Sequence, residues 1–376
     1  MPSAEATRRS ILFAAAAVLL LAALMYIGGG TATVPDTLPT KISDQEFWRM
    51  ITDFSEAGGY FRSDNLLSNE AGFQAVIPLL RKTVRSGGIY MGVGPEQNFT
   101  YIVGLQPKLA FIVDIRRLNM LQHLLYKALM ELSADRAEFL SRLFSRPRPP
   151  SLGADASAVQ LVRAYQAAQP NAELFAANLE MVIDYLERTK GFGLTTGDED
   201  DIRQVSQAFW DSGPELSYSF HGGYGRFRGM PTYGELMTED DGHSHNWHFL
   251  ANEEQYQIVQ RLQKNNLIIP LVGDFAGPKA IQSVAQYLKQ HAAVLSVFYT
   301  SNVEQYLFQD DENWRSFYAN AAALPLDSSS TFVRYVLNSW RFPRRSRSLV
   351  SPIMDVLTAY DRGRIRSYYD VIGMSW

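Results

Sequence analysis

The sequence contains no cysteine. Disulfides, thiolate nucleophiles and cysteine-ligated metals are therefore excluded, and no redox compartment can be read from pairing. It has no excess of positive charge either. With 35 Lys and Arg against 39 Asp and Glu the formal charge is -4, so no overall basic field draws nucleic acid, and none is expected as a partner. Neither a Walker A loop nor a G-x-S-x-G elbow occurs, which lowers the nucleoside triphosphatase and serine hydrolase readings. There is no internal repeat, and beyond the first thirty residues no stretch is apolar enough for lipid.

What is present is a packed globular composition, 46% hydrophobic and 12% aromatic, on a chain of 376 residues. That length suits a Rossmann-like core with one helical insertion. Residues Ile11 to Ile27 carry no charge and follow Arg8 and Arg9, the order of a signal peptide or signal anchor over residues 1–30. As a helix the run spans roughly 26 Å, just under the hydrocarbon thickness, so cleavage and retention both stay open. The stretch from Thr7 to Phe13 resembles a twin-arginine signal. Residues 31–42 read as a tether. The arginines should stay inside, because the next basic residue is Lys41, and the expected location is extracytoplasmic: periplasmic, secreted, or held at the membrane by the N-terminal helix.

From residue 43 onward the pattern predicts an α/β domain with a doubly wound, mostly parallel sheet. Ser43 with Glu46 makes a capping box for a helix through about Asp53, and Asn69 to Val84 reads as a second helix. GIYMGVG (88–94) is a strand ending in glycines, with a helix from Glu96 to Leu105 behind Pro95. LAFIVD (109–114) is a strand of the kind buried on both faces, followed by a helix over Leu118 to Leu132. Residues 133–250 read as an inserted helical subdomain, in which the glycine-rich and aromatic residues 213–246 form a long ordered loop or lid, with the aromatic stretch HGGYGRFRGMPTYG at 221–234. LIIPLVGDF (267–275), a helix from Gly277 to Gln290 and VLSVFYT (294–300) resume the alternation. Thr331 to Asn338 is a fifth strand and Pro352 to Tyr360 a late helix.

Parallel strands place their carboxyl ends on one edge, where ligands of such sheets bind. The Gly92-x-Gly94 turn ends the first strand, and Asp114 ends the second 22 residues later, near the spacing at which an acid meets ribose hydroxyls. The alternative is a tight turn and a surface aspartate. This arrangement resembles the class I S-adenosylmethionine-dependent methyltransferases, over about residues 69–132 and 253–340. The resemblance implies Gly92 and Gly94 at the amino-acid part of the cofactor, Asp114 at the ribose, Asp274 (of Gly273-Asp274) at the adenine side, and Asn302 facing the methyl acceptor as the catalytic position. Departures from that family are a missing third glycine, with Pro95 and Glu96 in the loop, and an insertion of about 120 residues. The chain also resembles uncharacterised exported bacterial proteins that share GVGPEQNFTYI, FIVDIRR and LVGDFAGPKA.

His243, His245 and His248 lie beside Glu239, Asp240 and Asp241, residue types that ligate zinc, but their spacing fits neither H-E-x-x-H nor a finger. No metal site is expected there. The basic run Arg341, Arg344, Arg345 and Arg347 is a solvated loop or a contact for anionic headgroups. Three readings follow. The first is an exported or anchored methyltransferase-like domain with S-adenosylmethionine as cofactor and a small-molecule ligand. The second is a non-catalytic binding or scaffold module on the same fold, and the third a metal-dependent hydrolase using the histidine loop.

Overall fold

The apolar runs become strands that are buried along their length. These are β1 (Ile89–Gly92), β2 (Leu109–Asp114), β3 (Ile268–Val272), β4 (Leu295–Ser301) and β5 (Thr331–Val336), and every residue of β1, β2, β3 and β5 is buried. The computed structural model of the protein describes residues 36–63, 65–218, 230–336 and 346–376. Residues 37–376 form one compact unit. The N-terminal segment read as a signal or anchor, most of the aromatic stretch, and Arg341, Arg344 and Arg345 lie outside the described residues. Among the described residues no helix is long and apolar enough to cross a membrane.

The sheet has six strands in the order β3-β2-β1-β4-β5-β6, where β6 is Arg347–Pro352. The first five are parallel and β6 runs antiparallel to β5. Sequence reading had assigned Arg347 to a basic loop. A hairpin partner instead forms there, because Leu349 and Val350 bury against β5, so the sheet is mixed at this edge. Pro270 confines β3 to the other edge, since a proline cannot donate to a neighbour. Two residues on, Val272 turns its N–H and C=O away from β2, to Ser55 Oγ (3.0 Å) and the Glu56 N–H (2.8 Å).

Helices fill the intervals. In α1 (Asp44–Phe54) the Ser43 hydroxyl accepts the Glu46 N–H at 3.1 Å, and Phe47, Met50 and Ile51 bury against β3. The helix expected over 69–84 is shorter, because Gly72 takes a left-handed φ of 74° and only a 3-10 turn (Phe73–Val76) and α2 (Ile77–Thr83) follow. Residues 69–71 are thereby freed for another use. Next come α3 (Gln97–Leu105) and α4 (Arg117–Leu132), the latter packed on β2 and β3. Among the described residues of 133–250 none adds a strand to the sheet. They contribute α5 (Arg136–Phe144), α6 (Ala158–Ala167), α7 (Ala172–Asp184), α8 (Thr196–Ser212) and α9 (Tyr233–Thr238), with an isolated bridge from Ser217 to Thr232. The alternation returns with α10 (Glu253–Lys264), α11 (Ala280–Gln290), α12 (Val303–Leu307) and α13 (Asp311–Ala323). The chain closes with α14 (Ile353–Asp361) and α15 (Tyr368–Gly373).

Candidate functional site

Strand order reverses between β1 and β4, and the chain leaves these two neighbours toward opposite sides of the sheet. At such a switch point the loops after the strands diverge and leave a crevice. One is present, a cavity of about 360 Å³, within the range of small-molecule sites. Gly94, Asp114, Asp274 and Asn302, from the ends of β1, β2, β3 and β4, all line it. Gly92 does not. Its missing side chain leaves room for Asn98, whose Oδ1 would stand 2.0 Å from a Cβ added there.

The glycine loop is held from within. Asn98 Nδ2 donates to the carbonyls of Val93, Gly94 and Pro95 at 3.0, 3.0 and 2.8 Å, while its Oδ1 accepts from the Tyr90 hydroxyl at 2.8 Å. Gly94 sits at a φ of 81°, open to glycine and strained for other residues, and its carbonyl also accepts from His123 Nε2 at 2.9 Å. Burial lowers the His123 pKa to about 4, so the ring is a neutral donor there. Glu96, one of the departures from the family's glycine loop, does not line the cavity. It is buried and accepts the Ser68 N–H at 3.1 Å, and burial raises its pKa to about 7. Pro95 does line the cavity.

Asp114 is already engaged. Its Oδ1 accepts from the Arg116 N–H at 2.9 Å and from Arg116 Nε at 3.0 Å, and its Oδ2 accepts from Nη2 at 3.0 Å. One lone pair of Oδ2 is left for a ligand. The D-x-R spacing within FIVDIRR was the available signal for this pair. Asp274 Oδ1 accepts the Ala276 N–H at 2.9 Å, and Gly273 is forced by packing, since a Cβ would lie 2.3 Å from that of Ala280.

Sequence reasoning missed the near wall. Residues 55–63 and 65–70 run along the carboxyl edge of the sheet as a strap. The strap bonds to β3 through Ser55 and Glu56, to the end of β2 through the Gly59 N–H and Ile115 O (2.7 Å), and to the β1 loop through Ser68. It brings Tyr60, Phe61, Arg62 and Glu70 to the cavity. Phe61 meets Tyr306 edge-on at 5.2 Å, and Arg62 Nη2 donates to the Tyr306 hydroxyl at 3.4 Å. Glu70 is buried and takes a hydrogen bond from Ser301 Oγ, at a strand end whose φ of 52° is unusual for serine. Burial raises the Glu70 pKa to about 7, against the lowering effect of Ser301 and Tyr299. Tyr218 and Met230, which flank residues 219–229, also line the cavity.

The histidines do not converge. His248 is buried, its Nδ1 accepts the Leu250 N–H at 3.1 Å, and desolvation lowers its pKa to about 3. His243 and His245 are exposed, and Asp241 is occupied by their backbone amides and by Trp247 Nε1. Among the described residues no three His, Cys, Asp or Glu side chains form a group that could hold a metal ion.

A family model described as Domain of unknown function (DUF7790) matches residues 66–191 and 215–358, most of the chain. The matched parts contain every cavity residue from Ser68 onward, while Tyr60, Phe61, Arg62 and Asn65 lie outside them. No curated protein matches the chain.

Proposed function

We propose that the chain, which belongs to the DUF7790 family, binds a small nucleotide-like ligand at the β1–β4 switch point of a methyltransferase-like core. S-adenosylmethionine is the first candidate, and methyl transfer is the reaction it would serve. The observation that supports this reading is the convergence of Gly94, Asp114, Asp274 and Asn302 on one cavity from which Glu96 is turned away. In it the Gly94 backbone meets the amino-acid part, Asp114 with Arg116 the ribose, Asp274 the adenine side, and Asn302 the acceptor. Isothermal titration of S-adenosylmethionine and S-adenosylhomocysteine tests it, and flat traces at millimolar ligand remove this cofactor. Where binding is seen, Asp114→Asn weakens it by about 1.5 to 3 kcal/mol, the worth of a charge-assisted hydrogen bond.

The engagement of Asp114 by Arg116 favours a second reading, a binding module that keeps the fold without methyl transfer. Titration separates the two only together with product analysis: ligand bound and no methyl group moved to any acceptor is its signature.

We also propose that the domain lies outside the cytoplasm, by export or by an N-terminal anchor. Support comes from Arg8 and Arg9 ahead of an uncharged run, with no further basic residue before Lys41. A C-terminal alkaline phosphatase fusion should be active in a bacterial host, and an inactive fusion refutes this.

A further inference from the structure

Two acceptors in the cavity have no donor. Glu70 is 2% exposed; its Oε1 takes the Ser301 hydroxyl and its Oε2 has no hydrogen-bond partner. Gln97 Nε2 donates to the Val93 carbonyl at 3.4 Å and to the Tyr299 hydroxyl at 3.2 Å. A carbonyl can only accept, so this orients the amide and leaves Gln97 Oε1 buried without a donor. Both side chains line the cavity, and Tyr299, which accepts from Gln97, also acts to lower the Glu70 pKa.

Among the described residues nothing neutralises Glu70. The titratable groups that sense its charge are Tyr90 of β1, Tyr101 of α3, Tyr299 of β4, Tyr335 of β5 and Tyr368 of α15, all phenols. Among the described residues no cation pairs with it. The contrast with the other buried carboxylates is informative. Asp114 is paired with Arg116 and Glu304 with Arg334, while Glu96 has no cation but faces away from the cavity toward backbone amides. A buried carboxylate without a counter-ion either takes up a proton or meets a cation that arrives from outside. Two unanswered acceptors on side chains that line one cavity also call for two donors. A hydroxyl has one, a carboxylate or phosphate has none, and an ammonium or amidinium has enough.

We propose that Glu70 and Gln97 form a subsite for a cationic nitrogen of the ligand, an ammonium or amidinium whose N–H groups are answered by Glu70 Oε2 and Gln97 Oε1. The inference deepens the reading of this cavity as a ligand site, but it does not require the ligand to be a nucleotide. Because Glu70 holds its proton to about pH 7, a cation seated there displaces that proton.

The test compares probes with and without a cation, titrated into the full chain: S-adenosylhomocysteine against 5′-methylthioadenosine, which lacks the whole amino-acid arm, carboxylate included, and benzamidine against benzamide, which differs chiefly in the charge. The wild type should bind S-adenosylhomocysteine about tenfold or more tighter than methylthioadenosine, the effect of one charge-assisted hydrogen bond or more. That preference should vanish in Glu70→Gln and in Gln97→Leu. Titration at pH 7 in buffers of different ionisation enthalpy should report proton release that Glu70→Gln abolishes. If neither nucleoside binds, yet benzamidine binds the wild type, benzamide does not, and Glu70→Gln binds neither, the cation subsite stands and the nucleotide reading fails. Equal binding of methylthioadenosine and S-adenosylhomocysteine, cation binding unchanged in Glu70→Gln, or no cation bound at all overturns the subsite. Should Glu70→Gln not fold, Gln97→Leu carries the same comparison.

Discussion

Substituting Glu70 by glutamine should make the protein more stable, and increasingly so as pH rises. Burial lifts this carboxyl from the ordinary 4.5 to about 7, so between those values the unfolded chain has released a proton that the folded chain retains. The stability from this group is present below about pH 4.5 and is lost as pH rises toward 7, after which the curve is flat. At 1.36 kcal/mol for each pKa unit, the cost is roughly 1 kcal/mol at pH 5 and about 3 kcal/mol at pH 8. Glutamine keeps an oxygen for the Ser301 hydroxyl and carries no charge, so the variant should gain about 2 kcal/mol over wild type between pH 5 and pH 8. Urea unfolding at both pH values, with unchanged m-values, measures the difference. Glu96, lifted to about 7 by the same cause, leaves a residual slope in the variant that Glu96→Gln would remove. If the gain from Glu70→Gln is the same at pH 5 and pH 8, the carboxyl ionises normally within the fold, and the account of the cavity floor is wrong.

Two further outcomes follow from buried polar geometry. Asn98→Asp sets a carboxylate against the carbonyls of Val93, Gly94 and Pro95 and should cost about 3 kcal/mol or more, read as a lowered urea midpoint. Glu304→Gln strips the counter-charge from Arg334, which is 0% exposed and bridges β5 to Ser351 of β6. A loss of about 3 to 5 kcal/mol is expected, and a Tm within a degree or two of wild type would contradict it.

Strands were legible because a strand covered on both faces must be apolar throughout, and LAFIVD or LIIPLV has no other stable home in water. Their ends were legible for the same reason, since Asp114 and the Gly273-Asp274 pair mark where the apolar run stops. β6 was not. RSLVSP is short and half polar, and its pairing comes from β5 rather than from its own pattern. Glu70 was hidden more deeply. It lies in a stretch whose composition suits a helix, and the left-handed turn at Gly72 and a partner more than two hundred positions away help to hold it in the cavity. Asp114 was located correctly at its strand end, but that Arg116 would fold back on it depends on side-chain geometry that spacing alone does not specify.

The strap has a consequence for the order of assembly. Its bonds reach from Ser55 to Val272, 217 positions on, and from Glu70 to Ser301, 231 positions on. Loops of that length close late, after local helices and neighbouring strands have formed. A nascent chain that has emerged only through β2 holds the strap but neither β3 nor β4 to tie it to, so the pocket comes into being at the end of folding. Whatever occupies it then bridges parts of the chain more than two hundred positions apart, and its dwell time should govern how long the whole molecule resists unfolding.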